Sequence, residues 1–266
     1  MKIWTVANQK GGVGKTTTAV GLGGLLAEWG FRVLLVDIDP HGSLTSYFGY
    51  DPDRLESGTY SLFEAAADQR SLDPATLIRS TGTEGLDLLP ASVALATLDR
   101  QAGRQAGMGL VLKRGLEQLE PYYDHVLIDC PPMLGMLLVN ALAVCDRLII
   151  PVQTEFLSLK GLERMLHTLE MIHKARPSPL PYIIVPTMFD RRTRASLDTL
   201  RLLQERYAAR LWDQVIPIDT RFRDASRAGM PPAVYDPRAR GVVAYGRLLE
   251  FLQAEGEMTL PAEAAG

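Results

Sequence analysis

Cysteine is scarce in this sequence: only two of its 266 residues, Cys130 and Cys145, are cysteines. Two cysteines cannot make the disulfide framework of a small secreted domain, and they do not supply the ligands of an iron–sulfur cluster. No signal peptide is evident, because residues 3–7 have the pattern of a first strand and a glycine-rich turn follows directly. We therefore expect a cytoplasmic protein.

Long apolar runs are also absent. The most apolar stretch, residues 133–152, is interrupted by Asn140, Asp146 and Arg147, which excludes a membrane-spanning helix there. The composition, 47% hydrophobic and 22% charged, is ordinary for a globular protein and excludes a disordered or fibrous chain.

Lysine is the third scarcity: the chain has 6 Lys against 22 Arg, and its net charge is −3. This balance argues against a protein that coats nucleic acid with its whole surface. The basic charge is local instead, because residues 191–227 carry nine arginines and only five acidic residues. Residues 51–100 show the opposite balance, with nine acidic and four basic residues.

Short apolar runs alternate with helical stretches along the chain. Continuous Val/Ile/Leu strands that alternate with helices indicate a mostly parallel, twisted sheet with helices on both faces. We predict a single α/β domain over residues 1–255 and a disordered tail over residues 256–266. The predicted strands are residues 3–7, 32–36, 86–89, 125–128, 147–152, 182–185 and 213–216, and the clearest helices are 16–29, 110–119, 159–173 and 196–210.

The first predicted strand runs into a glycine-rich loop, residues 8–17 (NQKGGVGKTT), and then into a helix. Glycines allow backbone N–H groups to turn towards an anion, and the helix N-terminus adds its dipole. Lys15 is expected to supply a positive charge for the β- and γ-phosphates of a nucleotide, and the Thr16 hydroxyl to hold Mg²⁺. Gln9 stands where the strict P-loop pattern has glycine, and an additional lysine, Lys10, lies at the front of the loop. The predicted nucleotide-binding residues of the loop are Lys10, Gly11, Gly12, Val13, Gly14, Lys15, Thr16 and Thr17.

This loop resembles the deviant Walker A motif of the ParA/MinD family of P-loop ATPases, and the resemblance extends over almost the whole chain. Residues 33–40 (VLLVDIDP) resemble the family's second acidic motif, and residues 124–132 (DHVLIDCPP) resemble its Walker B motif. Residues 151–162 (PVQTEFLSLKGL) resemble a further block of the family. The resemblance implies a single-domain P-loop NTPase fold, ATP and Mg²⁺ as cofactors, and ATP hydrolysis.

The resemblance also implies that Lys10 reaches across a homodimer interface to the nucleotide of the second subunit. Two ATP molecules then lie between two chains, and dimerisation depends on the γ-phosphate. The simpler interpretation is that Lys10 is only a solvated loop lysine.

Three aspartates end predicted strands near the loop. By resemblance Asp39 positions the hydrolytic water and is catalytic together with Lys10 and Lys15, whereas Asp37 and Asp129 support Mg²⁺ with Thr16. An alternative for Asp37 is that it merely caps a helix.

The adenine is expected where later strands end. By resemblance Met188 and Pro217 are predicted to contact it, with Thr187 and Ile218 beside them. Met188 could equally belong to the core.

Four arginines are predicted to bind DNA: Arg191, Arg192, Arg221 and Arg223. In DNA-binding ParA proteins, arginines at the positions matching Arg192 and Arg221 contact the phosphate backbone without sequence preference. No recognition helix is evident, so salt-sensitive, non-specific binding is expected. The alternative is that these arginines form surface ion pairs with neighbouring aspartates.

Two details concern partners. Residues 247–257 (RLLEFLQAEGE) are acidic at the far end, which argues against a basic, membrane-binding C-terminal helix. Residues 39–42 read DPHG where partition proteins usually have DPQG, and this region resembles a ParA-like subgroup encoded beside chemotaxis genes. His41 itself could be only a loop residue that hydrogen-bonds locally.

The favoured function is a ParA-type ATPase that forms an ATP-dependent dimer, binds non-specific DNA, and positions DNA or a protein cluster. Hydrolysis is expected to be slow and to be stimulated by a ParB-like or adaptor protein. The protein is expected to be associated with the nucleoid or located at a cell pole. Two alternatives are an ATP-gated switch that docks on a polar protein scaffold, and a metabolic P-loop enzyme such as an ATP-dependent amidation enzyme.

Overall fold

The computed structural model describes residues 1–98, 107–173 and 178–257. Most of the predicted tail, from residue 258 on, lies outside the described residues, and the last helix extends to Glu257. No helix in the described part of the chain is both long and apolar enough to cross a bilayer.

Seven strands form one sheet in the order β3-β4-β2-β5-β1-β6-β7. All neighbouring pairs are parallel except β3 with β4. The strands are β1 (Lys2–Val6), β2 (Val33–Asp37), β3 (Arg79–Thr83), β4 (Leu86–Leu89), β5 (His125–Asp129), β6 (Arg147–Gln153) and β7 (Tyr182–Thr187). The predicted mostly parallel sheet is confirmed.

Helices cover both faces of this sheet, as predicted. One face packs mainly on α1 and α10, and the other on α3 to α6, and each interface forms its own buried apolar cluster. The helices are α1 (Lys15–Glu28), α2 (Ser43–Tyr47), α3 (Thr59–Ala67), α4 (Val111–Leu119), α5 (Met136–Val144), α6 (Phe156–His173), α7 (Arg194–Tyr207), α8 (Arg221–Ala228), α9 (Pro232–Tyr235) and α10 (Arg240–Glu257).

The strand predicted at residues 213–216 is wrong. Among the described residues, isolated bridges flank this segment, Ile184 with Leu211 on one side and Phe189 with Pro217 on the other, and no continuous ladder joins them. The chain bends at residues 213–214, and Pro217 has no N–H to continue a ladder. The segment nevertheless stays beside β7, because the backbone N–H of Ile216 donates to the carbonyl of Pro186 at 2.8 Å.

Strand β3 was not predicted, since its residues (RSTGT) are polar and alternate between half-buried and exposed positions. It is the antiparallel edge strand beside β4 and therefore lacks the apolar run of a buried strand.

The carboxyl ends of the three central strands meet at one edge of the sheet. Val6 is opposite Asp129 across β1 and β5, and Asp37 is opposite Asp129 across β2 and β5. The glycine-rich loop leaves β1 at this edge, so the topology brings it beside both aspartates.

Candidate nucleotide-binding site

The glycine-rich loop joins β1 to the N-terminus of α1. Gly12 and Gly14 have left-handed backbone conformations, with φ of 74° and 91°, and Gly14 immediately precedes the helix. A side chain at either position would strain the backbone. The loop thereby turns into the helix N-terminus, which is the arrangement that binds phosphate groups.

Lys15 and Thr16 begin α1 and are fixed by polar contacts. The Lys15 side chain is buried, and its Nζ donates to the carbonyl of Lys10 at 3.2 Å. The Thr16 hydroxyl donates to Asp129 Oδ2 at 2.6 Å. The predicted Walker A and Walker B residues are therefore in direct contact.

The carboxyls of Asp37 and Asp129 are fully buried on adjacent strands. Burial raises the pKa of both groups, and the negative charge of Asp37 raises the pKa of Asp129 further. The hydroxyl of Thr16 and the ammonium of Lys15 oppose this shift at Asp129. Two buried carboxyls side by side are costly when both are ionised, and a nearby cation would stabilise them.

The Asp129 side chain fits the expected magnesium site. Its Oδ1 is buried and has no hydrogen-bond partner among the described residues, whereas Oδ2 accepts from Thr16. A free carboxylate oxygen beside a threonine hydroxyl can accept hydrogen bonds from metal-bound water. Within the described ranges no group of three or more His, Cys, Asp or Glu side chains could hold a metal ion unaided.

Asp37 organises the loop that follows β2. Its Oδ2 accepts hydrogen bonds from the backbone N–H and the hydroxyl of Thr45, at 2.8 and 2.7 Å, and its Oδ1 accepts from the N–H of Asp39 at 3.0 Å. Thr45 lies in α2, so these hydrogen bonds join Asp37 to that helix. They agree with the alternative that Asp37 caps a helix, and its expected support of Mg²⁺ stays a prediction.

Asp39 is held by a residue two positions further along. Its Oδ1 accepts from the backbone N–H of His41 at 3.0 Å and contacts the His41 ring at Nδ1 at 2.9 Å. The Asp39 side chain is 12% exposed, whereas the His41 ring is 79% exposed. His41 therefore hydrogen-bonds locally, and its partner is the residue predicted to position water.

Lys10 contacts the start of α6 in its own chain. Its Nζ donates to the buried Ser158 hydroxyl at 2.8 Å and lies 3.6 Å from Glu155. The loop packs closely on this helix, because a Cβ at Gly161 would lie 2.9 Å from the Lys10 Cβ. Lys10 is thus a partnered residue in the single chain, and its expected reach into a second subunit stays a prediction.

A cavity of about 650 Å³ opens beside the loop. Its wall includes Thr16 and Thr17 from α1, together with Met188 and Pro217, the two predicted adenine contacts. Met188 has a left-handed backbone, with φ of 51°, and lies on the cavity wall rather than in the core. The remaining adenine candidates, Thr187 and Ile218, also line it.

Several lining residues were missed by sequence reasoning. They come from distant elements, and none was assigned to the nucleotide: Ser43, Tyr47, Gln153, Ile216, Phe222 and Tyr245. Tyr245 of α10 shares a hydrogen bond of 2.8 Å with Thr18 of α1, which joins the last helix to the phosphate-loop helix.

The predicted DNA-binding arginines divide into paired and unpaired residues. Arg192 makes two hydrogen bonds to Asp190, at 2.9 and 2.8 Å, and Arg221 lies 3.3 Å from Asp236 and 3.7 Å from Asp224. Arg191 and Arg223 are exposed and have no ion pair with any described residue. Arg223 also lies on the wall of the cavity.

A phosphate loop between β1 and α1, with the Lys15–Thr16 pair and an acidic residue at the end of β5, defines a P-loop nucleotide-binding protein. A model of the AAA domain family matches residues 1–180. The chain is 38% identical to the sporulation initiation inhibitor protein Soj of Bacillus subtilis over 96% of this chain and 99% of Soj. It is 35% identical to the chromosome partitioning protein ParA of Caulobacter vibrioides, over 93% of this chain and 92% of ParA. The chain belongs to the ParA/MinD family of P-loop ATPases.

A solved structure supports the same fold. The crystal structure of cobyrinic acid a,c-diamide synthase from Mycobacterium smegmatis, with bound ATP analogue and magnesium, has a TM-score of 0.82 and 32% identity. The match covers 100% of both chains. A protein of this fold therefore holds an adenine nucleotide and Mg²⁺.

Proposed function

We propose that this protein is a ParA-type ATPase that binds Mg-ATP and forms a face-to-face dimer with a second copy. The observation that carries the proposal is the second lysine of the phosphate loop, Lys10, next to the buried Lys15. One P-loop lysine suffices to bind a nucleotide within one chain. A second one at the front of the loop suits the phosphates of a nucleotide held by another chain.

In this proposal each residue of the phosphate end has a separate task. Lys15 binds the phosphates, and Thr16 with Asp129 holds Mg²⁺. A bound Mg²⁺ would supply positive charge that offsets the negative charge of the nucleotide's phosphates. Asp39 orients the attacking water, and Asp37 fixes the backbone of the segment that carries Asp39.

Dimerisation requires the Lys10 ammonium to give up its contacts with the start of α6 in the same chain. In the single chain its ammonium is bound to Ser158 and lies near Glu155. These contacts are exchanged for a nucleotide of the second copy only when that nucleotide carries enough negative charge. The dimer therefore forms with ATP and separates after hydrolysis. Hydrolysis is slow until a ParB-like or adaptor protein stimulates it.

The dimer binds DNA without sequence preference through Arg191, Arg192, Arg221 and Arg223. Arg191 and Arg223 are free to contact phosphates, whereas Arg192 and Arg221 must first exchange an aspartate for a phosphate. The cargo is DNA or a protein cluster, and the protein works in the cytoplasm, on the nucleoid or at a pole.

A metabolic amidation enzyme remains the competing proposal, since the M. smegmatis structure carries that name. An enzyme that takes ammonia from glutamine needs a reactive thiolate. Both cysteines of this chain are buried, and burial raises the pKa of each thiol, to about 12 for Cys145. Neither suits that role, which favours the ATPase switch.

The test uses Asp39→Ala, which should bind ATP without hydrolysing it. We expect it to bind duplex DNA of unrelated sequences with ATP and not with ADP, and less well at about 200 mM than at about 50 mM salt. Lys10→Ala in the same background is the matched control and should not bind DNA. ATP-dependent dimers that ignore DNA would contradict the DNA proposal and favour the docking switch.

A further inference from the structure

The segment after β2 holds an exposed histidine whose ring contacts a carboxylate. The His41 ring is 79% exposed, and among the described residues its only polar partner is Asp39. An exposed ring contributes little to packing. The contact with Asp39 is therefore the main interaction that this side chain makes.

The hydrogen bond has a defined direction when Asp39 is ionised. A carboxylate only accepts, so Nδ1 of His41 must carry the proton and donate to Oδ1. Oδ1 also accepts from the backbone N–H of His41, so both of its hydrogen bonds come from the same residue. No hydrogen bond to Oδ2 of Asp39 is found in the described part of the chain. The second oxygen is left available for another donor.

We propose that His41 is a positioning residue for Asp39: its Nδ1–H fixes Oδ1 so that Oδ2 can accept a hydrogen bond from the attacking water. This inference rests on the proposed role of Asp39 in hydrolysis. The polar contacts of His41 with the described residues are all with Asp39, so we expect it to act on the rate of hydrolysis and not on nucleotide binding. The histidine at this position tunes the hydrolysis rate of this chain.

The first experiment compares three variants in ATP hydrolysis with saturating Mg-ATP and duplex DNA. His41→Ala keeps the backbone donor but loses the ring donor, and we expect kcat to fall about three- to ten-fold with KM unchanged. His41→Asn places an amide N–H at the same distance along the side chain as Nδ1. It should restore kcat to within about two-fold of the native protein.

Asp39→Ala separates failure of this inference from failure of the proposed function. If Asp39→Ala hydrolyses ATP at the native rate, the role of Asp39 is wrong and the inference falls with it. If Asp39→Ala is inactive while His41→Ala keeps the native kcat, only the role of His41 is overturned. A rise in KM with unchanged kcat in His41→Ala would also overturn it.

The second experiment needs no catalysis. Nitrogen-15 NMR of the histidine rings reports which ring nitrogen carries the proton, and His41→Asn identifies the His41 signals. We expect the Nδ1–H tautomer for neutral His41 in the native protein and its loss in Asp39→Ala. An Nε2–H tautomer in the native protein would overturn the proposed contact.

Discussion

The phosphate end of the site and the arginine surface are built in opposite ways. At the phosphate end, Lys15, Asp37 and Asp129 are buried, and each makes short contacts within the chain. On the arginine surface, Arg191 and Arg223 are exposed, and neither has an ion pair with a described residue. Buried polar groups have high costs when a partner is lost, whereas exposed charges are screened by water and salt. Substitutions at the phosphate end should therefore have large effects on nucleotide binding or stability. Substitutions on the arginine surface should have small, additive effects on DNA affinity.

The largest effect is expected from Lys15→Ala. It removes the charge that we propose binds the phosphates. ATP affinity should fall on the order of 100-fold, since hydrogen bonds to charged groups are worth up to about 3 kcal/mol. Calorimetric titration with Mg-ATP measures this.

Lys10→Ala is the matched control, from the same loop. Because the Lys10 ammonium is bound to Ser158 and lies near Glu155 in the single chain, its loss should leave ATP affinity of the monomer within about two-fold. Equal losses in the two variants would contradict the separate tasks of the two lysines.

The next effect concerns the buried carboxyls. Because their pKa values are raised in the folded protein, the unfolded chain releases these protons first as the pH rises from about 4. The stability of the nucleotide-free protein should therefore fall as the pH increases through this range. Asp129→Asn removes one buried charge. At pH 8 it should raise Tm by a few degrees, since about 1 kcal/mol corresponds to roughly 2–4 °C in a domain of about this size.

Thermal unfolding of the native protein and Asp129→Asn at pH 6 and pH 8 checks this expectation. The rise in Tm that Asp129→Asn causes should be smaller at pH 6 than at pH 8. Mg-ATP should raise the Tm of the native protein more than that of the variant. A native Tm that rises between pH 6 and pH 8 would contradict the sign of the pKa shifts.

The arginine surface should respond more weakly. Arg191→Ala with Arg223→Ala should lower DNA affinity on the order of ten-fold and reduce the salt slope by about two. Asp190→Asn should act in the opposite direction, because it releases Arg192 from a bidentate pair. Fluorescence titration with duplex DNA at several salt concentrations measures both effects. Unchanged affinity in the double variant would indicate that DNA binds elsewhere or not at all.

Apart from the Lys10→Ala control, the smallest loss of ATP affinity is expected from Thr187→Val, which keeps the side-chain shape. The Thr187 hydroxyl donates to the carbonyl of Val13 at 2.8 Å and ties the phosphate loop to the end of β7. Loss of one such hydrogen bond costs about 1 kcal/mol, so ATP affinity should fall about five-fold. Thr220→Val, at a cavity residue outside the phosphate loop, shows whether any lost hydroxyl has the same effect.

The loop between β1 and α1 was predicted at its observed place, because short-range geometry determines a glycine-rich turn. A glycine-rich turn needs its glycines, and a strand that ends in an acidic residue places that residue at the edge of the sheet. Residues 8–17 were predicted from their glycines and their place between a strand and a helix, and Asp129 from the resemblance of residues 124–132 to a Walker B motif. The structure places Thr16 and Asp129 in contact, and their binding roles stay predictions. The partners of Lys10 on α6 were not predicted, because they depend on how a helix about 150 residues later packs.

The base end of the cavity was harder to predict, since an apolar pocket leaves little pattern in a sequence. Tyr47, Phe222 and Tyr245 reach the cavity from three different helices, and none of them stands in a motif. The incorrect prediction of a strand at residues 213–216 has a related cause. An apolar run beside a sheet resembles a strand, although a bend and Pro217 prevent a continuous ladder.

The central claim is that two chains associate only when both carry ATP, through Lys10. The most direct test is the solution mass of Asp39→Ala, by light scattering, with Mg-ATP and with Mg-ADP, beside the same variant with Lys10→Ala added. The account predicts a mass twice that of the 29.3 kDa chain with ATP only, and a monomer whenever Lys10 is absent. A monomer under all conditions, or a dimer that forms equally with ADP or without Lys10, would contradict it.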